Sequence, residues 1–241
     1  MRKWAGALLV AGLFGIVRPV QAASCPAPDA FVIPSGALPA TKAAIETHTL
    51  TILTLGGAAT LGGPARGAEF TYPSRLAARL TEALPGLSVK IVMVAVARQP
   101  NADLELKLNA ALVTAKPALV IWGPGASAAG RGDDLDTFIS DITGTINKIR
   151  TAGADLILMT LQYAPSVARV INLFPYRSAV TRAGEMAGVP VLDRYELMRF
   201  WSDNDFLDLD GTKADDRVQV ARKLYDCMAE ILTEGIVDAV R

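Results

Sequence analysis

The sequence is poor in histidine and cysteine, with one and two residues respectively among 241. Transition metals in proteins are held by several such side chains, so their scarcity argues against a metal site. Lysine and arginine together equal aspartate and glutamate at 24 each, so no excess of positive charge favours nucleic acid as a partner. We therefore expect neither a metal ion nor a nucleic-acid ligand.

Long apolar runs are also scarce. The longest, Trp4–Val17, falls short of the roughly 20 residues that a membrane-spanning helix needs. Arg2 and Lys3 precede it, and Val20-Gln21-Ala22 supplies small residues at the spacing that signal peptidase prefers. We predict that residues 1–22 are a cleaved signal peptide and that the mature protein is periplasmic or secreted, without a membrane span. Cleavage removes three basic and no acidic residues, which leaves a net charge near −3.

The two cysteines lie near opposite ends of the mature chain. Cys25 follows the predicted cleavage site, and Cys227 lies in the last helical pattern. An even number of cysteines in an oxidising compartment favours a disulfide between them. The alternative is lipidation of Cys25, because Ala22-Ala23-Ser24-Cys25 loosely resembles a lipoprotein signal.

The mature chain divides into a Pro- and Ala-rich segment, 23–48, which we interpret as an extended arm, and a single domain, 49–241. The domain alternates helical patterns with short apolar runs that are typical of strands buried on both faces. The runs are 49–55, 88–96, 118–122, 155–160 and 189–192. Helices are predicted from Pro73, from Asn101, after Asp134, and through Val218–Leu232.

This alternation predicts a three-layer α/β/α sandwich with a five-stranded, mostly parallel sheet, which is a flavodoxin-like arrangement. Ligands of such folds bind beyond the C-terminal ends of the strands, so the loops after residues 55, 96, 122 and 160 are candidates for the site.

The first of these loops is a glycine turn, Gly56–Thr60. A phosphate-binding loop needs lysine directly after the second glycine of G-x-x-x-x-G, but Gly63 follows Gly57 to Gly62. A dinucleotide fingerprint needs G-x-G, but Ala58 follows Gly56-Gly57. We therefore expect no nucleotide cofactor, and no other cofactor is indicated.

From Thr51 to about Ala229 the chain resembles the SGNH (GDSL-type) hydrolases, and it is most similar to their bacterial, signal-peptide-bearing branch. The resemblance implies an esterase fold whose chemistry uses a Ser–His pair assisted by Asp. It rests on five blocks in the family's order: Gly56-Gly57-Ala58-Ala59-Thr60, Tyr72-Pro73-Ser74-Arg75-Leu76, Pro117–Trp122 with Gly125-Ala126-Ser127-Ala128, Gly153–Met159 with Gln162-Tyr163, and Asp210-Gly211-Thr212-Lys213.

Within these blocks the implied catalytic groups are missing. Ala58 occupies the nucleophile position, and a methyl group cannot attack an ester carbonyl. Ala95 stands at the place of an oxyanion-binding glycine, and Ser127 at that of an oxyanion-binding asparagine. Asp210 matches the family's acid, but Lys213 replaces its histidine. A lysine side chain has an ordinary pKa near 10.4, so at neutral pH it is charged and cannot serve as the base.

The chain's one histidine, His48, precedes the first strand and is more typical of a surface position than of a relocated base. The resemblance therefore implies a degenerate esterase that binds a small molecule, a glycan, an acyl group or a protein in its former cleft. The alternative is a divergent hydrolase that uses a Ser127–Lys213 pair. Candidate cleft residues are Ala58, Arg98, Gly125, Ser127, Gln162, Tyr163 and Lys213.

Overall fold

The structure is a computed structural model that describes residues 25–27, 33–58, 60–95, 101–211 and 213–241. The predicted signal peptide, 1–22, and the candidate cleft residue Arg98 lie outside these ranges. No helix of the described residues is long and apolar enough to cross a membrane.

The five predicted strands form one parallel sheet in the order β2-β1-β3-β4-β5. Their bounds are β1 Thr49–Gly56, β2 Ser88–Ala95, β3 Leu119–Trp122, β4 Asp155–Met159 and β5 Val191–Leu192. Strands β3 and β4 are almost wholly buried, as expected for strands covered on both faces. For β2 that expectation is wrong: it lies at the sheet edge, and only Val94 is buried.

Nine α-helices of the described residues surround the sheet. They are α1 Pro39–Glu46, α2 Tyr72–Ala83, α3 Asn101–Ala115, α4 Ala126–Arg131, α5 Leu135–Thr151, α6 Pro165–Ala168, α7 Phe174–Ala187, α8 Arg194–Asp203 and α9 Ala214–Val240. The predicted helices correspond to α2, α3, α5 and α9. Thr71 caps α2 by accepting a hydrogen bond from the Ser74 N–H at 3.3 Å, and Asp134 caps α5 through Thr137 at 2.9 Å.

Alternate residues of β1 face two separate apolar cores, as the period of a strand requires. Leu50 and Ile52 join the core built with α2, α8 and α9, whereas Leu53 and Leu55 join the core built with α3, α5 and α7. The sheet thus lies between two helical layers, and the predicted three-layer α/β/α fold is confirmed.

The segment 23–48 is not extended throughout, because Pro39–Glu46 form α1. Pro39 lies in the first turn, where its missing N–H costs no intrahelical bond. The Thr41 hydroxyl and N–H both donate to the Asp155 carboxylate on β4, at 2.8 and 2.7 Å. This contact is distant in sequence, so the local pattern of residues gives no sign of it.

A disulfide joins Cys25 to Cys227 on α9, with the two Cα atoms 5.3 Å apart. Next to it, the buried Trp201 indole donates a hydrogen bond to the Pro26 carbonyl at 2.6 Å. The predicted disulfide is therefore confirmed in the structure, and it fastens residues 25–27 to the helical layer formed by α8 and α9.

Candidate functional site

A cleft of about 450 Å³ lies beyond the C-terminal ends of β1, β3 and β4. Three predicted cleft residues, Ala58, Ser127 and Gln162, line it together. The complete lining is Gly57, Ala58, Thr60, Gly123, Ala126, Ser127, Gly130, Arg131, Gln162 and Arg194. The cleft is where open parallel sheets place their ligands, and its volume lies within the usual range for small-molecule sites.

The glycine turn after β1 forms one wall of this cleft. The position that the resemblance assigns to the nucleophile carries only the methyl group of Ala58, which is exposed, and the Ala58 carbonyl accepts a hydrogen bond from the Gly63 N–H at 3.1 Å. Gly56 is required for a steric reason, because a Cβ there would lie 2.5 Å from the Thr60 hydroxyl oxygen. The turn therefore accommodates a buried threonine hydroxyl at the cleft.

The two positions that the resemblance assigns to oxyanion donors differ in their relation to the cleft. Ser127 on α4 is exposed and lines it. Ala95 is the last residue of the edge strand β2 and does not line it. Gly125 lines an adjoining pocket of about 210 Å³ that shares Ser127 with the cleft, and whose mixed lining includes Trp122, Glu105 and Asp141.

The remaining predicted residues lie outside the cleft lining. The Asp210 carboxylate accepts hydrogen bonds from the Ser166 N–H at 3.1 Å and from Arg169 at 3.0 Å. Lys213 is the exposed residue before α9, and Tyr163 packs edge-on against Tyr195 with their ring centroids 5.1 Å apart.

The single histidine is also remote from the cleft. His48 is exposed and precedes the first residue of β1, so it lies at the opposite end of the sheet. The eight residue steps from His48 to Gly56 correspond to about 26 Å of strand. No group of three or more metal-ligating side chains is found among the described residues.

Arg194, which is not among the residues predicted from the sequence, lies in the cleft wall at the start of α8. It is 5% exposed, and its Nε donates to the Thr160 carbonyl at the end of β4, at 3.0 Å. Burial lowers the pKa of Arg194 to about 10, and the nearby phenols Tyr72 and Tyr225 oppose this shift. The side chain therefore remains a cation at neutral pH.

The two phenols are buried beside Arg194, and neither supplies a negative charge at neutral pH. Burial raises the pKa of Tyr72 to about 12, and the effect is opposed by Arg194 and the neighbouring Thr60 hydroxyl. Burial also raises the pKa of Tyr225, whose hydroxyl lies beside the Gln162 side chain. The Tyr72 hydroxyl makes no well-formed hydrogen bond to any described residue.

Arg194 follows the end of β5 by two residues, with only Asp193 between them. Ligands of parallel sheets bind beyond the C-terminal ends of the strands, so Arg194 is placed for ligand contact by the same rule as the loops after the other strands. The prediction from the sequence covered only the loops after the first four strands, and Arg194 was missed for that reason.

The parallel five-stranded sheet, with a glycine turn after β1 and a cleft at the strand ends, is an α/β fold that the chain shares with lipases and esterases of solved structure. Solved structures with this fold include a lipase/acylhydrolase from Enterococcus faecalis, at 20% identity and a TM-score of 0.58, covering 77% of this chain and 96% of that chain. An acetylxylan esterase from Geobacillus stearothermophilus gives 16% identity and a TM-score of 0.59, covering 78% of this chain and 94% of that chain.

A two-domain esterase active on acetylated mannans is also similar, at 14% identity and a TM-score of 0.66, over 86% of this chain and 54% of that chain. The model of the Non-GDSL lipase-like family matches residues 24–241, and the chain belongs to that family. A comparison with curated protein sequences gives no match.

Proposed function

We propose that the mature chain is a secreted or periplasmic protein that binds a ligand in its esterase cleft without hydrolysing it. The observation that carries this proposal is the methyl group of Ala58 at the turn after β1. A serine hydrolase of this fold needs a nucleophile at that turn, and alanine has no atom that can attack a carbonyl carbon.

The surroundings of Ala58 support the proposal, because no histidine, aspartate or glutamate is found among the described residues that line the cleft. His48 is at the opposite end of the sheet, and Lys213 is exposed outside the cleft lining. In serine hydrolases, loss of the catalytic triad lowers kcat about a million-fold. The absence of both nucleophile and base from their expected places therefore favours binding without turnover.

The cleft itself supports a ligand-binding role. It retains about 450 Å³ of space and a mixed polar lining that includes Thr60, Ser127 and Gln162. Similar structures act on acetylated xylan and acetylated mannans, which makes a glycan one reasonable ligand class beside acyl groups and proteins. The Cys25–Cys227 disulfide supports location in an oxidising compartment.

The proposal is tested by hydrolysis of p-nitrophenyl acetate and butyrate by the purified mature protein. We expect rates equal to those of Ser127→Ala and Lys213→Ala, all at the buffer background. Turnover above background that both substitutions abolish would replace the proposal with a hydrolase using Ser127 and Lys213.

A gain-of-function variant provides the second arm. Ala58→Ser with Lys213→His supplies a serine nucleophile and a histidine base at the two positions that the family uses. Lys213 does not line the cleft, however, and Ala95 remains at the position of an oxyanion-binding glycine. We expect little restored turnover. Ala58→Ser alone is the matched control for the serine hydroxyl.

A further inference from the structure

The guanidinium of Arg194 is held in a fixed position at the cleft. Its Nε donates to the Thr160 carbonyl at 3.0 Å, and its terminal nitrogens lie against Gly123, where a Cβ would come within 3.3 Å of one of them. The Thr160 hydroxyl donates to Asp193 at 2.7 Å and accepts from the Tyr195 N–H at 3.1 Å. Thr160 thus holds the residues immediately before and after Arg194, which fixes the backbone from which the guanidinium extends.

Arg194 nevertheless has no carboxylate partner among the described residues. The two acids nearest to it in sequence, Asp193 and Glu196, both pair with Arg177, each at 2.5 Å. The ionisable groups that act on Arg194 are the phenols Tyr72 and Tyr225, which burial keeps neutral at physiological pH.

A buried charge without a partner is costly, so a buried cation in a protein is typically paired with an anionic group that also accepts its hydrogen bonds. The Nε of Arg194 is satisfied, but its two terminal nitrogens make no hydrogen bond to any described residue. Arg194 itself lines the cleft. These nitrogens form the planar, two-pronged donor that matches a carboxylate or phosphate.

The rest of the lining is compatible with an anion. Its described residues include no aspartate or glutamate, and Arg131 contributes a second positive charge, although Asp133 pairs with it at 2.5 Å. Thr60 and Gln162 offer a hydroxyl and an amide in the same cleft.

We propose that the cleft binds a ligand through an oxyanion group, a carboxylate or a phosphate, which the terminal nitrogens of Arg194 hold. This inference rests on the proposed function, because it names the chemistry of the ligand that the cleft holds. The shared group occurs in sugar acids, fatty acids and phosphorylated compounds. A sugar acid or a phosphorylated compound would fit the cleft alone, whereas the chain of a fatty acid would also extend into the adjoining pocket beside Trp122, whose lining mixes apolar residues with Glu105, Asp141 and Lys148.

The test is titration calorimetry of the mature protein with sodium glucuronate, octanoate and inorganic phosphate at constant ionic strength, with glucose as the neutral probe. We expect at least one anion to bind and glucose not to bind. Arg194→Gln should raise the dissociation constant for that anion at least about tenfold, which is the usual effect of losing a charge-assisted hydrogen bond. Arg199→Gln is the matched control: it removes a half-exposed arginine of the same helix that pairs with Glu196 and Asp203, and it should bind like the wild type.

Arg194→Lys keeps the charge but lacks the two-pronged donor, so we expect weakened rather than abolished anion binding. If Arg194→Gln does not fold, the affinity of Arg194→Lys tests the inference, and wild-type affinity in that variant would overturn it. Wild-type protein that binds none of the anions better than glucose overturns the inference, as does a folded Arg194→Gln with wild-type affinity. Ester turnover by the wild type would instead overturn the proposed function, whatever the calorimetry gives, so the two failures are distinguishable.

Discussion

Removing the Cys25–Cys227 disulfide is expected to destabilise the protein more than the loss of any single buried hydrogen bond. The two cysteines are 202 residues apart in sequence, so the bridge closes residues 25–227 into one loop. The loop-closure relation gives about 5 kcal/mol of stabilisation at 25 °C for a loop of this length. Because a domain is typically stable by about 5–15 kcal/mol, the double variant Cys25→Ser/Cys227→Ser should lose a third or more of its unfolding free energy.

The assay is guanidinium unfolding followed by circular dichroism, for the double variant and for wild type with and without a reducing agent. Reduced wild type should match the double variant. Trp201→Phe is an informative companion, because it removes the indole hydrogen bond to the Pro26 carbonyl and leaves the bridge in place. An unfolding free energy of the double variant within about 1 kcal/mol of the wild-type value would show that the bridge stabilises the fold no more than one hydrogen bond does.

Two further substitutions test buried polar groups. Tyr72→Phe removes a buried hydroxyl that lacks a well-formed hydrogen bond, so urea unfolding at pH 8 should show unchanged or increased stability. Burial raises the pKa of Tyr72 from its ordinary value of 10.0 to about 12 in the folded protein. Above pH 10 the unfolded wild-type chain therefore binds fewer protons than the folded one, and the unfolding free energy of the wild type falls relative to that of the variant. An equal difference in unfolding free energy between the two proteins at pH 8 and pH 11 would contradict this. Thr41→Val removes the hydrogen bond from the Thr41 hydroxyl to Asp155 and should lower the free energy of unfolding in urea by about 1–3 kcal/mol. Thr47 is exposed, so the control Thr47→Val should change that free energy little. Equal losses in the two variants would contradict the role of the Asp155 contact.

Strands β1, β3 and β4 could be predicted because burial on both faces leaves continuous apolar runs. Helices α2 and α5 could be predicted because residues typical of helix starts coincide with apolar spacing. Helix α7 is harder to predict, because small residues form its contact with the sheet. A Cβ on Gly184 would lie 2.1 Å from the Val191 side chain, so close packing there depends on the lack of a side chain. Glycine in a sequence pattern does not indicate a buried helical face.

For the site, the glycine turn and the block at Ser127 are each local in sequence, and in the structure both line the same cleft. The role of Arg194 could not be derived in the same way. Arg194 lacks a carboxylate partner because the two nearest acids in sequence, Asp193 and Glu196, pair instead with Arg177 on helix α7. Charge pairing of this kind is a tertiary property.

Intact-mass spectrometry after incubation with a phosphonylating ester-hydrolase inhibitor would show whether the cleft of this Non-GDSL lipase-like protein holds an activated nucleophile. Such reagents attach to a serine only where a base and oxyanion donors activate it. We expect an unchanged mass for the wild-type protein, because we propose that no serine of the cleft is activated. A single adduct, mapped by peptide sequencing to Ser127, would contradict it.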